Sequence, residues 1–354
     1  MDNCYSISGK SLKKFVNELF LKVGMNSKDA EFHSEALVQT NYWGIDSHGV
    51  IRVPAYVARM LNGAINVNPN IKVCSGSGAL KVLDADSAAG FIGAREGMNT
   101  AIELAKENGI AACGVMNSNH FGAGALYARM AAQKGMIGIA MTNVKPLIIG
   151  QGASEPITGN NPIAVAVPTY SEYPFVVDMS LSVVAGGKLT LAIKKNEKIP
   201  MNWATDKEGH PTDDPRKAFE GYLLPIGDHK GLGLSYIVDI LSGVITGGLF
   251  SKKMKSMYAN PEEPSETGHF FIAIDISRII DQEDMKARMQ ELKTYIKETP
   301  MWKEKSSMIF PGELEYQREC VRKKEGIPIP ITTYNELLEL ANRYAMDSKL
   351  DIIY

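Results

Sequence analysis

Ser47-His48-Gly49-Val50-Ile51-Arg52 sets a hydroxyl, an imidazole and a guanidinium within six residues, and Tyr56 follows four positions after the arginine. A histidine moves a proton near neutral pH, and an arginine can hold a carboxylate in two parallel hydrogen bonds. Proton transfer beside an anchored carboxylate is what an enzyme acting on a 2-hydroxy or 2-oxo acid requires. A second histidine lies about seventy residues downstream in Asn117-Ser118-Asn119-His120-Phe121-Gly122-Ala123-Gly124. The bland alternatives are a helix-start histidine without chemistry for His48 and a helix-capping loop histidine for His120. Ser47 and Arg52 weigh against the first, because the trio meets three needs of one reaction. The other histidines, His33, His210, His229 and His269, show no metal spacing such as HExxH.

The elements around these residues predict their placement. Leu12, Phe15, Val16, Leu19, Phe20 and Val23 recur at helical spacing, with Ser11 as the expected cap and Gly24 as the stop. A second helix is expected from Ser27 to about Trp43, and a third after Ser47, with Pro54 in an early turn and Gly63 at its end. His48 is therefore expected at a helix start, where outward N–H groups favour anions. From about Ile71 the texture changes to alternating strands and helices. A strand over 111–115 and a helix over 122–134 put His120 at the carboxyl end of a strand, where α/β sheets place ligands. Further strands are read at 137–142, 163–167, 175–178 and 270–275, with a loop-like stretch at 201–224 and a C-terminal helix near 334–344. The order gives an α/β architecture with a helical appendage.

Composition excludes several classes. The chain of 354 residues is long enough for two domains, and its net charge of −2 argues against nucleic acid as a partner. It contains no eighteen-residue apolar run, so no membrane span is expected, and its start lacks the basic end and apolar core of a signal peptide. Cys4, Cys74, Cys113 and Cys320 show no CxxC spacing and read as thiols of a reducing, cytoplasmic compartment, with no metal site implied.

A dinucleotide fingerprint is absent. None of the glycine clusters is a G-x-G-x-x-G between a strand and a helix with an acidic residue about twenty positions on. Any nicotinamide cofactor must therefore bind on something other than a standard Rossmann unit. His229-Lys230-Gly231 could meet a phosphate or ribose, against a solvated lysine as the bland reading. Gly159-Asn160-Asn161-Pro162 reads as a turn, or as amides orienting a polar substrate. Phe310-Pro311-Gly312-Glu313 reads as a turn, or as a carboxylate gripping a ribose.

Taken as a set, the motifs resemble the malate/L-lactate dehydrogenase family of non-Rossmann NAD(P)-dependent oxidoreductases, which includes ureidoglycolate, sulfolactate and 2,3-diketogulonate enzymes and cyclic-imine reductases. The match runs through Gly44 to Gly49 with Arg52 and Tyr56, Asn117 to Gly124, and Met141-Thr142-Asn143. Asn161-Pro162, Val177-Asp178-Met179-Ser180, His229-Lys230-Gly231 and Pro311-Gly312-Glu313 complete it in the family's order.

The resemblance implies a large non-Rossmann mixed-sheet α/β domain over 71–314, and a helical domain over 1–70 completed by 315–354. It implies a homodimer with the active site between domains or subunits. Ser47, His48 and His120 match the catalytic pattern; Arg52, Tyr56 and Asn160 match substrate positions. His120, Phe121, Gly122, Ala123, Gly124, Thr142, Asp178, Met179, Ser180, Lys230, Gly231, Pro311, Gly312 and Glu313 match contacts to NAD(H) or NADP(H). The cofactor's phosphates are expected at the helix start around Gly122 to Gly124. Asn160 stands where members often carry threonine, which leaves substrate choice open. Lys188 stands near an acidic position of imine-reducing members, which favours a hydroxy acid over an imine.

The expected reaction is hydride transfer between nicotinamide and a small 2-hydroxy or 2-oxo acid such as malate or lactate. Sulfolactate, ureidoglycolate or a sugar keto acid is the alternative within the class, with cyclic-imine reduction beside them. A nucleotide- or metabolite-binding protein without turnover would not need two histidines. A metal-dependent hydrolase or lyase would need ligand spacing that the chain lacks.

Overall fold

The computed structural model describes residues 4–303 and 306–353. Strand β1 (Cys4–Ile7) leads into α1 (Gly9–Lys22), which buries Leu12, Phe15, Val16, Leu19 and Phe20 along one stripe. Ser11 is not its cap: the helix starts two residues earlier, and Ser11 Oγ donates back to Ser8 O at 3.0 Å. α2 (Ser27–Tyr42) is capped by Asn26, which accepts from Asp29 N at 3.0 Å, one residue before the serine expected there. Two short 3-10 turns, Asp46–His48 and Val50–Arg52, precede α3 (Val53–Leu61). His48 therefore lies in a tight turn rather than at the start of an α-helix.

The sheet strands are β2 (Lys72–Ser75), β3 (Leu80–Asp84), β4 (Ile110–Ser118), β5 (Met136–Thr142), β6 (Ile163–Val167), β7 (Phe175–Met179) and β8 (Thr267–Asp275). Their order is β2-β3-β4-β8-β5-β6-β7. Only β3 and β4 run parallel; all other neighbours are antiparallel. A Rossmann sheet is parallel, so the missing fingerprint and the mixed sheet agree. α4 (Gly90–Asn108) and α5 (Ala125–Ala132) connect the strands, α5 being shorter than the helix expected over 122–134.

After β7 come α6 (Gly186–Lys195), α7 (Pro215–Glu220) and α8 (His229–Asp239), which continues as a π-helical turn, Ile240–Val244. α7 lies within the stretch read as loop. α9 (Gln282–Lys297), α10 (Glu313–Glu325), β9 (Ile327–Pro330) and α11 (Ile331–Arg343) close the chain. β9 pairs antiparallel with β1, so the two ends of the chain meet in a second, two-stranded sheet.

Alternation along β8 divides the core. Phe271 joins a cluster with Phe15, Phe91, Phe121 and Tyr127, while its neighbour Phe270 faces a cluster with Ile148, Leu181 and Leu223. Each such ring, fully buried, contributes about 1.5–3 kcal/mol. The first cluster runs without a break from α1 through α4 and α5 to β8, so the terminal helices and one face of the sheet share a core.

Candidate active site

The turn at Asp46–Arg52 is held from below. Asp46 receives Arg322 of α10 through two nitrogens, at 2.6 and 2.9 Å, and Asn41 Nδ2 at 2.6 Å. Asn41 Oδ1 accepts from Val50 N at 2.8 Å. Gly49 makes this fit possible, since a Cβ there would lie 2.2 Å from Asn41 Oδ1. Trp43 Nε1 donates to Glu319 of α10 at 3.0 Å, a second tie between the same segments. Asp46 is an anchor for the turn, and its neighbours present the reactive groups.

His48 and His120 come together as stacked rings, with centroids 5.6 Å apart and planes at 26°. Each has one ring nitrogen engaged. Ser47 Oγ lies 2.8 Å from His48 Nδ1, and the buried Tyr56 hydroxyl lies 2.7 Å from His120 Nδ1. Burial, reinforced by the Arg52 charge, lowers the His48 pKa to about 4. Burial also holds His120 well below the ordinary histidine range, and His48 and Arg52 push it the same way. Both rings are neutral at pH 7. Burial likewise raises the Tyr56 hydroxyl above its usual value, so it remains a donor.

The turn carrying His120 is fixed by its motif neighbour Asn119 and by Arg59, which no motif marks. Asn119 is buried; its amide nitrogen donates to Ser87 O at 3.0 Å and Ala88 O at 2.9 Å, and its oxygen accepts from Arg59 Nη2 at 3.0 Å. α4 begins hard against this turn, because a Cβ on Gly90 would lie 2.1 Å from Asn119 O. His269, on β8, is fully buried and stacks on Phe121 at 4.8 Å and 12°. Its Nδ1 lies 2.8 Å from Thr142 Oγ1 and its Nε2 lies 2.9 Å from Ser118 Oγ. Thr142 Oγ1 donates to Gly268 O at 2.9 Å, so it accepts from His269 Nδ1–H, which leaves Nε2 to accept from Ser118.

Arg52 is half-buried. Its Nε donates to Ser47 O at 2.7 Å and its Nη1 donates to the Tyr258 hydroxyl. Tyr258 belongs to the loop before β8, about two hundred residues away in sequence, and no local motif marks it.

The remaining expected residues fall into groups. Asp178, on β7, faces the N-terminal end of α5 and accepts from Ala125 N at 2.8 Å. The first backbone N–H of that helix is thus already taken by a carboxylate. Desolvation raises the Asp178 pKa to about 6. Gly122 adopts φ +77°, Ala123 is buried beside it, and a Cβ on Gly124 would lie 3.4 Å from Asp178 Oδ1, so the glycine turn and this carboxylate are in contact.

Met179 pairs with Ile163, and Ser180 Oγ lies 3.2 Å from Ser182 Oγ. Asn160 O accepts from Leu181 N at 2.7 Å, while Asn161 is a buried brace to Val144, Thr158 and Ser235. Lys230 is exposed in the first turn of α8 and has no ion-pair partner among the described residues. Gly231 is buried against Ile226 O, 2.0 Å from where a Cβ would stand. Pro311 O accepts from Val176 N at 3.3 Å, and Gly312 has φ +93°. Glu313 is engaged by Phe310 N at 3.0 Å and Lys297 Nζ at 2.9 Å, and the lysine keeps its carboxyl below the usual range. Lys188 lies over the Trp203 ring. Among the described residues no cluster of three or more His, Cys, Asp or Glu could hold a metal ion.

The arrangement brings together two neutral imidazoles, two hydroxyls and a guanidinium, which together can take a proton from a bound hydroxyl beside an anchored anion. Comparison with known proteins matches residues 7–338 to the family model described as malate/L-lactate dehydrogenase. A malate dehydrogenase from Pyrococcus abyssi is 39% identical over 350 residues, covering 97% of this chain and 96% of that protein. An L-sulfolactate dehydrogenase from Methanocaldococcus jannaschii is 36% identical over 335 residues, covering 95% and 96%. The solved structure of sulfolactate dehydrogenase from that organism superposes with a TM-score of 0.91 at 36% identity, covering 96% of this chain and 98% of that one.

Proposed function

The chain belongs to the malate/L-lactate dehydrogenase family, and from that premise we propose that it oxidises a small 2-hydroxy acid, or reduces the 2-oxo acid, with NAD(H) or NADP(H). The observation that carries the reading is the stacked His48–His120 pair, each ring oriented by a hydroxyl, beside the Arg52 guanidinium. Arg52 fixes the acid's carboxylate and so places the reacting carbon. His48 is the proton carrier. With Nδ1–H donating to Ser47 Oγ, its Nε2 lone pair is left to take the hydroxyl proton during oxidation. Its neighbour Ser47 is exposed, which gives the proton a way out. His120, oriented by Tyr56, polarises the same oxygen. Asn160 faces the rest of the substrate. Malate and lactate are the default substrates, with sulfolactate, ureidoglycolate or a sugar keto acid as alternatives.

The nicotinamide ring, when bound, accepts or supplies the hydride. The residues present fit such a cofactor. Lys230 is an exposed cation with no ion-pair partner among the described residues, at the start of an eleven-residue helix, and one turn on a Cβ at Gly233 would meet nothing within 4 Å. Lys230 and Gly231 therefore take the phosphates, a role moved here from Gly122 to Gly124. His120 to Gly124, Thr142 and Asp178 to Ser180 line the nicotinamide side, and Pro311 to Glu313 the far end.

The active form is a homodimer. Leu234, Ile237, Ile240 and Val244 are exposed along one side of α8 and its π turn, apolar area of the kind that subunits bury. Two domains divide the chain at about residues 70 and 315, and the protein works in the cytoplasm. Absorbance at the reduced-nicotinamide band during a screen of malate, lactate, sulfolactate and ureidoglycolate with both cofactors tests the reading. Turnover of cyclic imines alone, or of no 2-hydroxy acid, would overturn it.

A further inference from the structure

The substrate side of Arg52 has a second wall. A guanidinium carries five N–H donors. Nε–H goes to Ser47 O at 2.7 Å and one Nη1–H goes to the Tyr258 hydroxyl. Among the described residues Arg52 has no carboxylate partner and its Nη2 makes no hydrogen bond, so the charge and the Nη2 donors are left for a ligand. The Tyr258 oxygen accepts from Arg52, which leaves its own proton to donate, and a hydroxyl that accepts from a cation is polarised into a better donor.

Tyr258 is held there by design of the loop rather than by burial of its ring. The side chain is 63% exposed, with the guanidinium carbon 5.7 Å from the ring centroid. The backbone on both sides of it is pinned. Tyr258 N and Ala259 N donate to Ser256 Oγ at 3.2 Å each. Arg59, two helical turns after Arg52, donates to Asn260 O and Pro261 O at 3.2 Å, to Glu263 O at 2.9 Å and to Ser265 Oγ at 3.0 Å. A buried arginine spent on loop carbonyls makes sense when the loop tip must be in place.

We propose that Tyr258 is a substrate-binding residue whose hydroxyl donates to the same carboxylate that Arg52 holds, so that the acid is gripped by a charge and a neutral donor together. This rests on the reading of Arg52 as the carboxylate anchor. The pair selects a flat carboxylate, whose two oxygens can each meet one partner, and disfavours the corresponding amide or alcohol.

The test compares Tyr258→Phe with Arg52→Lys. The acid turned over best in the screen serves as substrate and oxalate as an unreactive carboxylate probe, its binding followed by calorimetry. Tyr258→Phe is expected to raise KM and the oxalate Kd each about tenfold, the size of one hydrogen bond to a charged group. Turnover should stay within about twofold, with cofactor affinity and the thermal midpoint unchanged. An unchanged KM and oxalate Kd in Tyr258→Phe, while Arg52→Lys weakens both, overturns the role of Tyr258 alone. If Arg52→Lys also leaves both constants unchanged, the carboxylate anchor itself is wrong. A fall in the thermal midpoint of Tyr258→Phe without a change in KM would make the tyrosine a structural prop and overturn the inference.

Discussion

His48 and His120 differ from free histidines because they stack in a partly closed site beside Arg52. An ordinary histidine would give a pH limb near neutrality, which is what the residue types alone lead one to expect. Burial moves the His48 pKa to about 4. Oxidation needs the neutral ring as acceptor, so kcat/KM for the hydroxy acid should be flat across neutral pH and fall as pH drops toward 4; stopped-flow rates against pH check this, and a limb centred near 6.5 would refute it. His48→Ala should lower kcat by roughly 10²–10⁴-fold and remove the acid limb. If the limb disappears only in His120→Ala, the two roles exchange. Arg52→Lys keeps the charge but loses both the fork and the bond to Ser47 O. Its expected cost is about 1.5–3 kcal/mol in substrate binding, seen as a raised KM at unchanged cofactor affinity; equal damage to cofactor binding would place Arg52 on the wrong ligand.

The elements show why part of the site was legible and part was not. Ser47, His48, Arg52 and Tyr56 are close in sequence and stay close in space, because two short turns and α3 carry them on one segment. His120 stands out by its place after a strand. Tyr258, Arg59, His269 and Arg322 act across separations of sixty to nearly three hundred residues, through backbone carbonyls, a single hydroxyl or one carboxylate. No spacing announces such contacts.

α10 went unread for a different reason. Its sequence is dominated by charge and it buries no residue, so it lacks the apolar stripe that marks a helix, although it supplies Arg322 and Glu319 to the catalytic segment. The caps of α1 and α2 shifted by one to three residues because several serines and asparagines competed for each position. Arg59→Leu is the informative variant at this scale. The freed carbonyls of 257–263 reach water, so stability should fall by about 1.5–3 kcal/mol, and limited proteolysis should cut within 254–266 before any other segment. Cleavage elsewhere first would show that the loop is held by something other than Arg59.

At the scale of the molecule, buried histidines make stability depend on acid. His33 is fully buried between Phe20 and Phe91, and neither ring nitrogen has a hydrogen-bond partner among the described residues. Burial lowers both His33 and His269 to about 3. The unfolded chain binds protons from about pH 6.5 downward, whereas the folded chain refuses them until about pH 3. Stability is therefore complete above pH 6.5 and is lost as pH falls. Between pH 7 and pH 5 each of these two rings should cost about 2 kcal/mol. Asp178, raised to about 6, works in the opposite sense. It gains its proton more readily when folded, which offsets a small part of that loss because the carboxyl is solvent-screened. The urea midpoint should thus drop from pH 7 to pH 5. His33→Phe, which fits between the same two rings, should recover the His33 share of that drop, about 2 kcal/mol, and leave the share of His269, His48 and His120; an undiminished drop would assign the acid sensitivity to other groups.

Strand β8 has a further consequence, for the order in which the protein can come into being. It is the seventh strand of the large sheet to leave the ribosome and the one that occupies its middle, between β4 and β5. Until Thr267–Asp275 has emerged, the nascent chain can build only two separate half-sheets, β2-β3-β4 and β5-β6-β7, each with an open edge where the other will join. β1 waits longer still, since its partner β9 is made at Ile327–Pro330. Folding of the two sheets thus waits on strands made late in the order, with long loops to close, and is slow by the rules that govern non-local pairing. The interval during which β4 and β5 stand unpaired is when the chain is most exposed to joining a neighbour's strand instead of its own.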